Sequence, residues 1–470
     1  MKNRTCPTTK RFRLAKWMVW LFVAASGLLL IYTYYRAEIT YQSEQDDQYF
    51  KYYVISLIGI AFWSVVLRLS DEIRINTVLI TTSLVASIYL MEITLLFTGI
   101  ADADDTQRQT VSAAQNVAFD SRAKLQVILD MRAEGVDAFP SVHPDALLRR
   151  ANLRTDESGL LFPLGGVSGK TTIFCNEGGE YAVYTSERYG FNNPDSEWEQ
   201  KQIQWVLTGD SFTQGACVMP GEDIAGRIRS LTGAAVINLG SSGNGPLAEL
   251  AVLKEYAESI RPKTVLWMYF EGNDLKSKHQ KEESDLQKEQ SVPILVNYME
   301  PEFSQCLILR QKEIDHSLSV FIAEEEAKAL ARQETEVILS KTGWLRLTSV
   351  RQLIGFDRFR DHNDGIDPLF TEILSEARDR TATRGGQLHF VYLPEFHRYA
   401  NSVDDHDQYK NRRKVIDIAK GLNIPVIDIH QEVFAKHPNL LSLFPLGIYG
   451  HYDAEGYGEV AKAIIAGAGN

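Results

Sequence analysis

Gly209-Asp210-Ser211-Phe212-Thr213-Gln214-Gly215 decides how this chain is read. Just before it, Ile203-Gln204-Trp205-Val206-Leu207-Thr208 has strand character. Past a short Pro/Gly stretch, Asp223 to Leu231 has helical spacing. A small glycine-flanked turn therefore presents a serine between a strand and a helix. At the C-terminal end of a strand in an open α/β sheet, such a serine is accessible as a nucleophile. Gly-Asp-Ser is also ordinary turn chemistry, so the weight falls on the segments C-terminal to it.

Four further strand candidates come after it. Ala234 to Leu239 leads into Gly240-Ser241-Ser242-Gly243-Asn244-Gly245-Pro246, and Lys263 to Phe270 leads into Glu271-Gly272-Asn273-Asp274. Gln387 to Leu393 and Ile424 to Ile429 complete the set, with helical segments between. Alternating strands and helices predict an α/β fold, a parallel sheet with helices on both faces. Ligands of such sheets bind beyond the carboxyl ends of the strands, which is where Ser211, the Gly243 loop and Asn273 fall. Near the C-terminus, Gly450-His451-Tyr452-Asp453 leads into a final helix expected over Gly458 to Ala466.

A serine hydroxyl needs a base to take its proton, and an imidazole titrates near operating pH. Ser211 and His451 are thus a candidate nucleophile and base. The backbone N–H groups of Ser211 and Gly243 and the side-chain amide of Asn273 are candidate donors to a tetrahedral oxyanion. Asp210 reads as a residue that shapes the turn. In these blocks the chain resembles the SGNH (GDSL-like) esterase and acyltransferase superfamily. Gly-Asp-Ser-Phe-Thr matches its first block, Asn238 to Gly243 its second, Gly272-Asn273-Asp274 its third, and His451 its last. The match covers roughly residues 200–275 and 385–470. It implies a flavodoxin-like sheet, Ser211 as nucleophile, His451 as base, and Gly243 and Asn273 in the oxyanion hole. One position departs. The family's Asp three residues before the histidine is Ile448 here. A backbone carbonyl would serve to orient the imidazole, or another acid such as Asp453, Asp428 or Glu395, and spacing selects none of them.

The N-terminal hundred residues have a different character. Six Lys and Arg and no acid occupy residues 1–16. Trp17 to Tyr35 is uncharged and apolar, long enough at about 1.5 Å per residue to span a hydrocarbon core of about 30 Å, and offers no small-residue cleavage site. Tyr52 to Leu67 is a shorter apolar run that reaches full length only if it begins near Tyr49. Thr77 to Ile100 is long enough unaided and contains Glu92, an acid expected to face neighbouring helices or to act within the membrane. Three transmembrane helices are expected, over about 17–35, 49–67 and 77–100. The basic N-terminus stays cytoplasmic, which places the large C-terminal domain outside the cell's inner (plasma) membrane, in the periplasm.

Residues 101–200 read as a stalk and accessory layer. They comprise a polar linker over 101–112, one helix over 113–134, an extended loop over Asp137 to Pro144, and short strands and turns over 160–190. Residues 201–470 read as the catalytic domain. An insertion at about 276–385 interrupts the alternation, with the charged run Lys276 to Gln290 and a long helical pattern over Phe303 to Gln333, and is expected to cap the site.

The chain has 470 residues and a net charge of -12. Uniform acidity argues against nucleic acid as a partner. Its four cysteines form no CxxC pair, so no metal is expected, and no organic cofactor is implied. If the part after residue 100 is exported, its three cysteines allow one internal disulfide and leave one thiol. The sequence thus predicts a membrane-anchored extracytoplasmic serine esterase, and its location together with the family resemblance implies acyl, chiefly acetyl, esters of a cell-envelope glycan or a small ester as substrate. Two alternatives stand beside it: an O-acetyltransferase served by a membrane acyl-donor partner, and a catalytically inactive glycan-binding or assembly protein.

Overall fold

The computed structural model describes residues 7–40, 46–98, 103–148, 161–275, 284–339, 347, 350–351, 366–400 and 411–469. The chain forms two units: Met1–Ala103 with Thr335–Phe359, and Asp104–Glu334 with Arg360–Asn470.

In the first unit, α1 (Pro7–Tyr34), α2 (Asp46–Val66) and α3 (Asp71–Thr98) pack together. Each is long and apolar enough to cross a membrane. The helices outrun the apolar stretches that announce them. The first starts at Pro7 and ends in a π-helical turn, Tyr35–Thr40. The second includes Tyr49 and Lys51, so the shorter apolar run does reach spanning length. Phe22 stacks on Trp63 at 4.4 Å, and Val19, Trp63, Val66 and Val78 form the small shared core. Arg74 donates to the carbonyls of Val66, Leu67 and Leu69, satisfying the end of α2 where no intrahelical donor remains. Glu92 is fully buried and accepts from the N–H of Val350 at 2.8 Å. A stretch of the insertion therefore belongs to this unit, with Glu92 satisfying its backbone.

The second unit is built on a sheet of five parallel strands, preceded by a small three-stranded sheet. The small sheet holds β1 (Ala138–Pro140), β2 (Thr171–Ile173) and β3 (Val183–Thr185), with β1 parallel and β3 antiparallel to β2. The large sheet holds β4 (Trp205–Gly209), β5 (Val236–Asn238), β6 (Thr264–Phe270), β7 (Gln387–Leu393) and β8 (Val426–Asp428), in the order β5-β4-β6-β7-β8. Counting those strands alone gives 2-1-3-4-5, the flavodoxin-like order.

Alternation along the strands builds two cores. On β6, Val265, Trp267 and Tyr269 face one, and Leu266, Met268 and Phe270 face the other. Of the helices that follow, α6 (Ser211–Gln214) is a single turn after β4. The second core takes Ile224, Ala225 and Ile228 of α7 (Ile224–Thr232). The first takes α8 (Pro246–Val252) together with Ile314, Leu318, Phe321 and Ile322 of α9 (Gln311–Leu339). It also takes Phe370, Ile373 and Leu374 of α10 (Pro368–Thr383) and Val415, Ile416 and Ala419 of α11 (Asn411–Gly421). Opposite, α12 (Ala454–Ala468) inserts Tyr457, Val460, Ala461 and Ile464. Helices thus cover both faces. The insertion from Ser284 through Ile322 is built into the first core through Leu286, Leu295, Tyr298 and α9. Residues 276–283, the start of the charged run, lie outside the described residues.

The stalk differs from its sequence reading. The expected linker is helical as α4 (Ala103–Ala114), and the single helix expected over 113–134 is broken. Asn116 turns left-handed (φ 58°) and ends the first helix, as Asn does more readily than most residues. The N–H of Asp120 then pairs with Gly179 O, and helix resumes only as α5 (Lys124–Ala133). Those interruptions are tertiary, so helical periodicity runs across them unmarked. The final helix begins at Ala454, four residues early, because Asp453 caps it by accepting from Gly456 N at 2.8 Å.

Candidate active site

Ser211 opens α6, at the C-terminal end of β4. Asp210 caps that turn, its carboxylate accepting from the N–H of Phe212 at 2.9 Å. The Gly243 turn follows β5 and Asn273 follows β6, the two strands that flank β4. All three positions therefore lie at adjoining strand ends. Gly243 has φ 76°, a conformation that costs a side-chain-bearing residue but not glycine. The Asn273 side-chain amide has no hydrogen-bond partner among the described residues, and its Oδ1 is buried.

His451 reaches the same place from the far end of the chain. Its Nε2 lies 2.9 Å from Ser211 Oγ. The ring packs on Phe212 at 4.7 Å between centroids, and Phe212 in turn stacks on Phe270 at 4.1 Å. The sequence-predicted nucleophile and base thus meet across 240 residues.

The carboxylate behind the imidazole is Glu177. Its Oε1 is 3.0 Å from His451 Nδ1, and its Oε2 accepts the backbone N–H of His451 at 2.7 Å. None of the acids named from the sequence fills this role. Asp453 caps α12, Asp428 pairs with Arg412, and Glu395 donates its backbone N–H to Glu271. Ile448 needs no carboxylate beside it, because Glu177 arrives from the accessory sheet.

Three features hold Glu177 there. Cys175, two residues before it, forms a disulfide with Cys217, six residues after Ser211, leaving Cys306 as an exposed free thiol. Arg108 of α4 is 5% exposed and donates to Glu177 O at 3.1 Å and Tyr449 O at 2.6 Å, with a guanidinium nitrogen 3.6 Å from Glu177 Oε1. Gly450 makes room, since a Cβ there would stand 2.6 Å from Glu177 Oε2. Burial pushes the Glu177 carboxyl up. The His451 charge, the bonds from His451 and the Arg108 charge outweigh it and hold Glu177 at about 2. The cysteine pair was the one available signal for this acid: it brackets both Glu177 and Ser211 in sequence.

Gln214 was also missed. Its Oε1 accepts from Ser242 N (2.8 Å) and Ser242 Oγ (2.9 Å), while Nε2 donates to Ser141 Oγ (3.2 Å) and Tyr184 OH (3.1 Å). It thereby pins the loop next to Gly243 to the accessory sheet.

Arg108→Gln tests the clamp. Loss of a hydrogen-bonded buried charge is worth about 1–3 kcal/mol, so kcat is expected to fall about ten- to hundredfold. An unchanged kcat would refute the role, and Arg108→Lys should recover part of the loss.

Behind the strand ends lies a group of buried acids: Asp210, Glu249, Asp274, Asp285 and Glu289. Burial, then mutual repulsion, raises Glu249 and Asp274 well above the ordinary carboxyl range. Burial takes Glu289 to about 8, even though it accepts from the N–H groups of Gly245, Leu247 and Ala248. Both carboxyl oxygens of Glu249 are buried with no partner among the described residues. A raised native pKa means the folded chain holds more protons than the unfolded one between pH 4.5 and about 8. Stability should therefore fall as pH rises through that window, by about 1.4 kcal/mol per pH unit for each such group. Thermal midpoints of the full chain in detergent should decline from about pH 5 to about pH 8, and Glu249→Gln should flatten the decline. A profile that is flat in wild type would contradict this.

Glu177, His451 and Cys217 offer donor atoms within 4.8 Å of one another. They do not fit a metal: the Cys217 sulfur is spent in the disulfide, and the carboxylate and imidazole are bonded to each other.

No family model and no curated protein matches the chain. Among solved structures, it is similar to a putative lipolytic protein of the G-D-S-L family from Desulfitobacterium hafniense DCB-2, at 13% identity and TM-score 0.28, covering 56% of this chain and 97% of that one. It is likewise similar to a lipase/acylhydrolase from Enterococcus faecalis, at 14% identity and TM-score 0.31, covering 56% and 94%. An α/β-hydrolase enzyme from the metagenome of Lake Arreo, Spain, is 12% identical with TM-score 0.30, covering 57% and 95%. At such scores the chemistry rests on the distances among Ser211, His451 and Glu177.

Proposed function

We propose that this protein is a membrane-anchored serine esterase of SGNH type. The observation that carries the reading is the hydrogen-bonded series Ser211 Oγ, His451 Nε2, His451 Nδ1, Glu177 Oε1, at 2.9 and 3.0 Å. Glu177 keeps the Nδ1 proton in place, so Nε2 is left to accept the proton of Ser211 as it attacks the ester carbonyl. The N–H groups of Ser211 and Gly243 and the amide of Asn273 receive the oxyanion. The tetrahedral adduct collapses as His451 returns the proton to the leaving alcohol oxygen. Water, deprotonated by His451, then cleaves the acyl-enzyme.

Three helices of spanning length support a multi-pass anchor, and three crossings with the basic N-terminus inside would put the site on the opposite side. The Cys175–Cys217 disulfide supports an oxidising, extracytoplasmic location at the inner membrane. From that location we infer an acyl ester, chiefly acetyl, on an envelope glycan. The test monitors p-nitrophenyl acetate with the full-length protein in detergent, with and without an oligosaccharide acceptor. Free acetate released by a Ser211-dependent reaction is the expected result. Acetyl appearing on the sugar in preference to water would replace hydrolysis by transfer. Turnover independent of Ser211 would overturn both.

A further inference from the structure

The accessory sheet brings more than Glu177 to His451. The chain reverses after α5 at Gly135 (φ 88°), and α5 packs against β1. The start of α5, Lys124, therefore stands at the same end as the loop after β1, Ser141-Val142-His143. Because β2 runs parallel to β1, its exit, Phe174 to Glu177, is at that end too. Direct bonds tie the pieces together. Asn176 Nδ2 donates to Asp120 O at 3.0 Å, Tyr181 OH donates to Arg122 O at 2.8 Å, and the His143 ring lies 5.7 Å from that of Phe174.

The charges here are unevenly matched. Arg122 is paired with Asp120 and Asp130, and Arg108 with Glu177. Lys124 is half-buried and has no carboxylate among the described residues. The Nδ1 of His143 is buried, again with no partner among them. Burial lowers Lys124. Burial, then the charges of Lys124 and His451, lowers His143 to about 3. His143 is thus a neutral imidazole at working pH, and Lys124 is a packed basic group with no counter-ion among the described residues. A packed cation without a counter-ion is costly, and an arriving anion would relieve that cost.

We propose that Lys124 and His143 form a subsite for an anionic group, a carboxylate or a phosphate, carried by the alcohol half of the ester. This rests on the esterase reading. His451 must hand its proton to the leaving oxygen, so the alcohol departs on the His451 side, the side on which the accessory sheet stands. Lys124 supplies the charge and His143 a ring nitrogen. The chain's overall charge of -12 repels anions, so a preference for an acidic ester would have to arise locally.

The test uses the full-length protein in detergent and two matched pairs of acetyl esters. One pair is an O-acetyl glucoside and its uronate; the other is O-acetyl glycerol and O-acetyl glycerol phosphate. The acidic member of at least one pair is expected to have a kcat/KM about tenfold or more higher, as for a hydrogen bond to a charged group. The pair that shows it tells carboxylate from phosphate. Lys124→Gln should bring the acidic-to-neutral ratio close to one, and Lys124→Arg should keep much of it. A wild-type ratio at or below one in both pairs, with hydrolysis still dependent on Ser211, would overturn the subsite alone. That outcome needs no variant to fold. A ratio untouched by Lys124→Gln would also overturn it. Failure of every ester, p-nitrophenyl acetate included, would remove the esterase reading and the subsite with it.

Discussion

Replacing Ser211 by alanine is expected to lower kcat for ester hydrolysis by about 10⁶-fold, the scale on which a Ser–His pair works as a unit. The hydroxyl is the group placed to attack while its proton is accepted, by His451 Nε2 at 2.9 Å. Residual turnover should remain, since Gly243 and Asn273 would still offer donors to an oxyanion held against water. Non-additivity is the sharper check. Once Ser211 is gone, His451 has no proton to accept, so Ser211→Ala/His451→Ala should be no slower than Ser211→Ala. The measurement is p-nitrophenyl acetate turnover, with mass spectrometry for an acyl adduct on Ser211. Equal rates in wild type and Ser211→Ala would sink the mechanism.

The second large effect is expected from Glu177→Gln, on the order of 10⁴ in kcat. Glu177 accepts twice, from the backbone N–H of His451 and at Nδ1. A glutamine has one acceptor oxygen for these two donors. If that oxygen keeps the shorter 2.7 Å bond to the backbone, the amide NH₂ faces Nδ1 and drives the imidazole proton to Nε2. Nε2 then no longer accepts from Ser211. Size and shape hardly change, so the thermal midpoint near neutral pH should move far less than the rate. A variant within about tenfold of wild type would mean that something other than Glu177 sets the tautomer. Because Glu177 is held at about 2, it stays ionised across the working range. The native contribution of Glu177 to stability has the opposite sign to that of Glu289. It is present above pH 4.5 and lost as the pH falls toward 2.

By itself, the sequence determined the parallel sheet, the ends of its strands, and the pair Ser211 and His451. Those are local signals. Trp205 to Gly209 and Thr264 to Phe270 are short, wholly buried runs, and buried parallel strands read as continuous apolar stretches. The turns after them carry their chemistry within a few residues. The three long apolar helices were legible for the same reason, since a membrane-length stretch needs no tertiary partner to be recognised.

Only the tertiary structure decided what orients His451, what the stalk is for, and where the insertion goes. Glu177 lies 34 residues before Ser211 and 274 before His451. Its place depends on the Cys175–Cys217 bond, on Arg108 reaching across from α4, and on the space that Gly450 leaves. No periodicity encodes a carboxylate delivered to a histidine by a second sheet. Arg108 looks like one more charge in a polar linker until its carbonyl partners at Glu177 and Tyr449 are seen. The same holds for Glu92, an apolar-run anomaly in sequence and a partner for the Val350 N–H in the fold. In each case a side chain is set by a buried backbone or charged group that must find a partner, and the partner is remote in sequence.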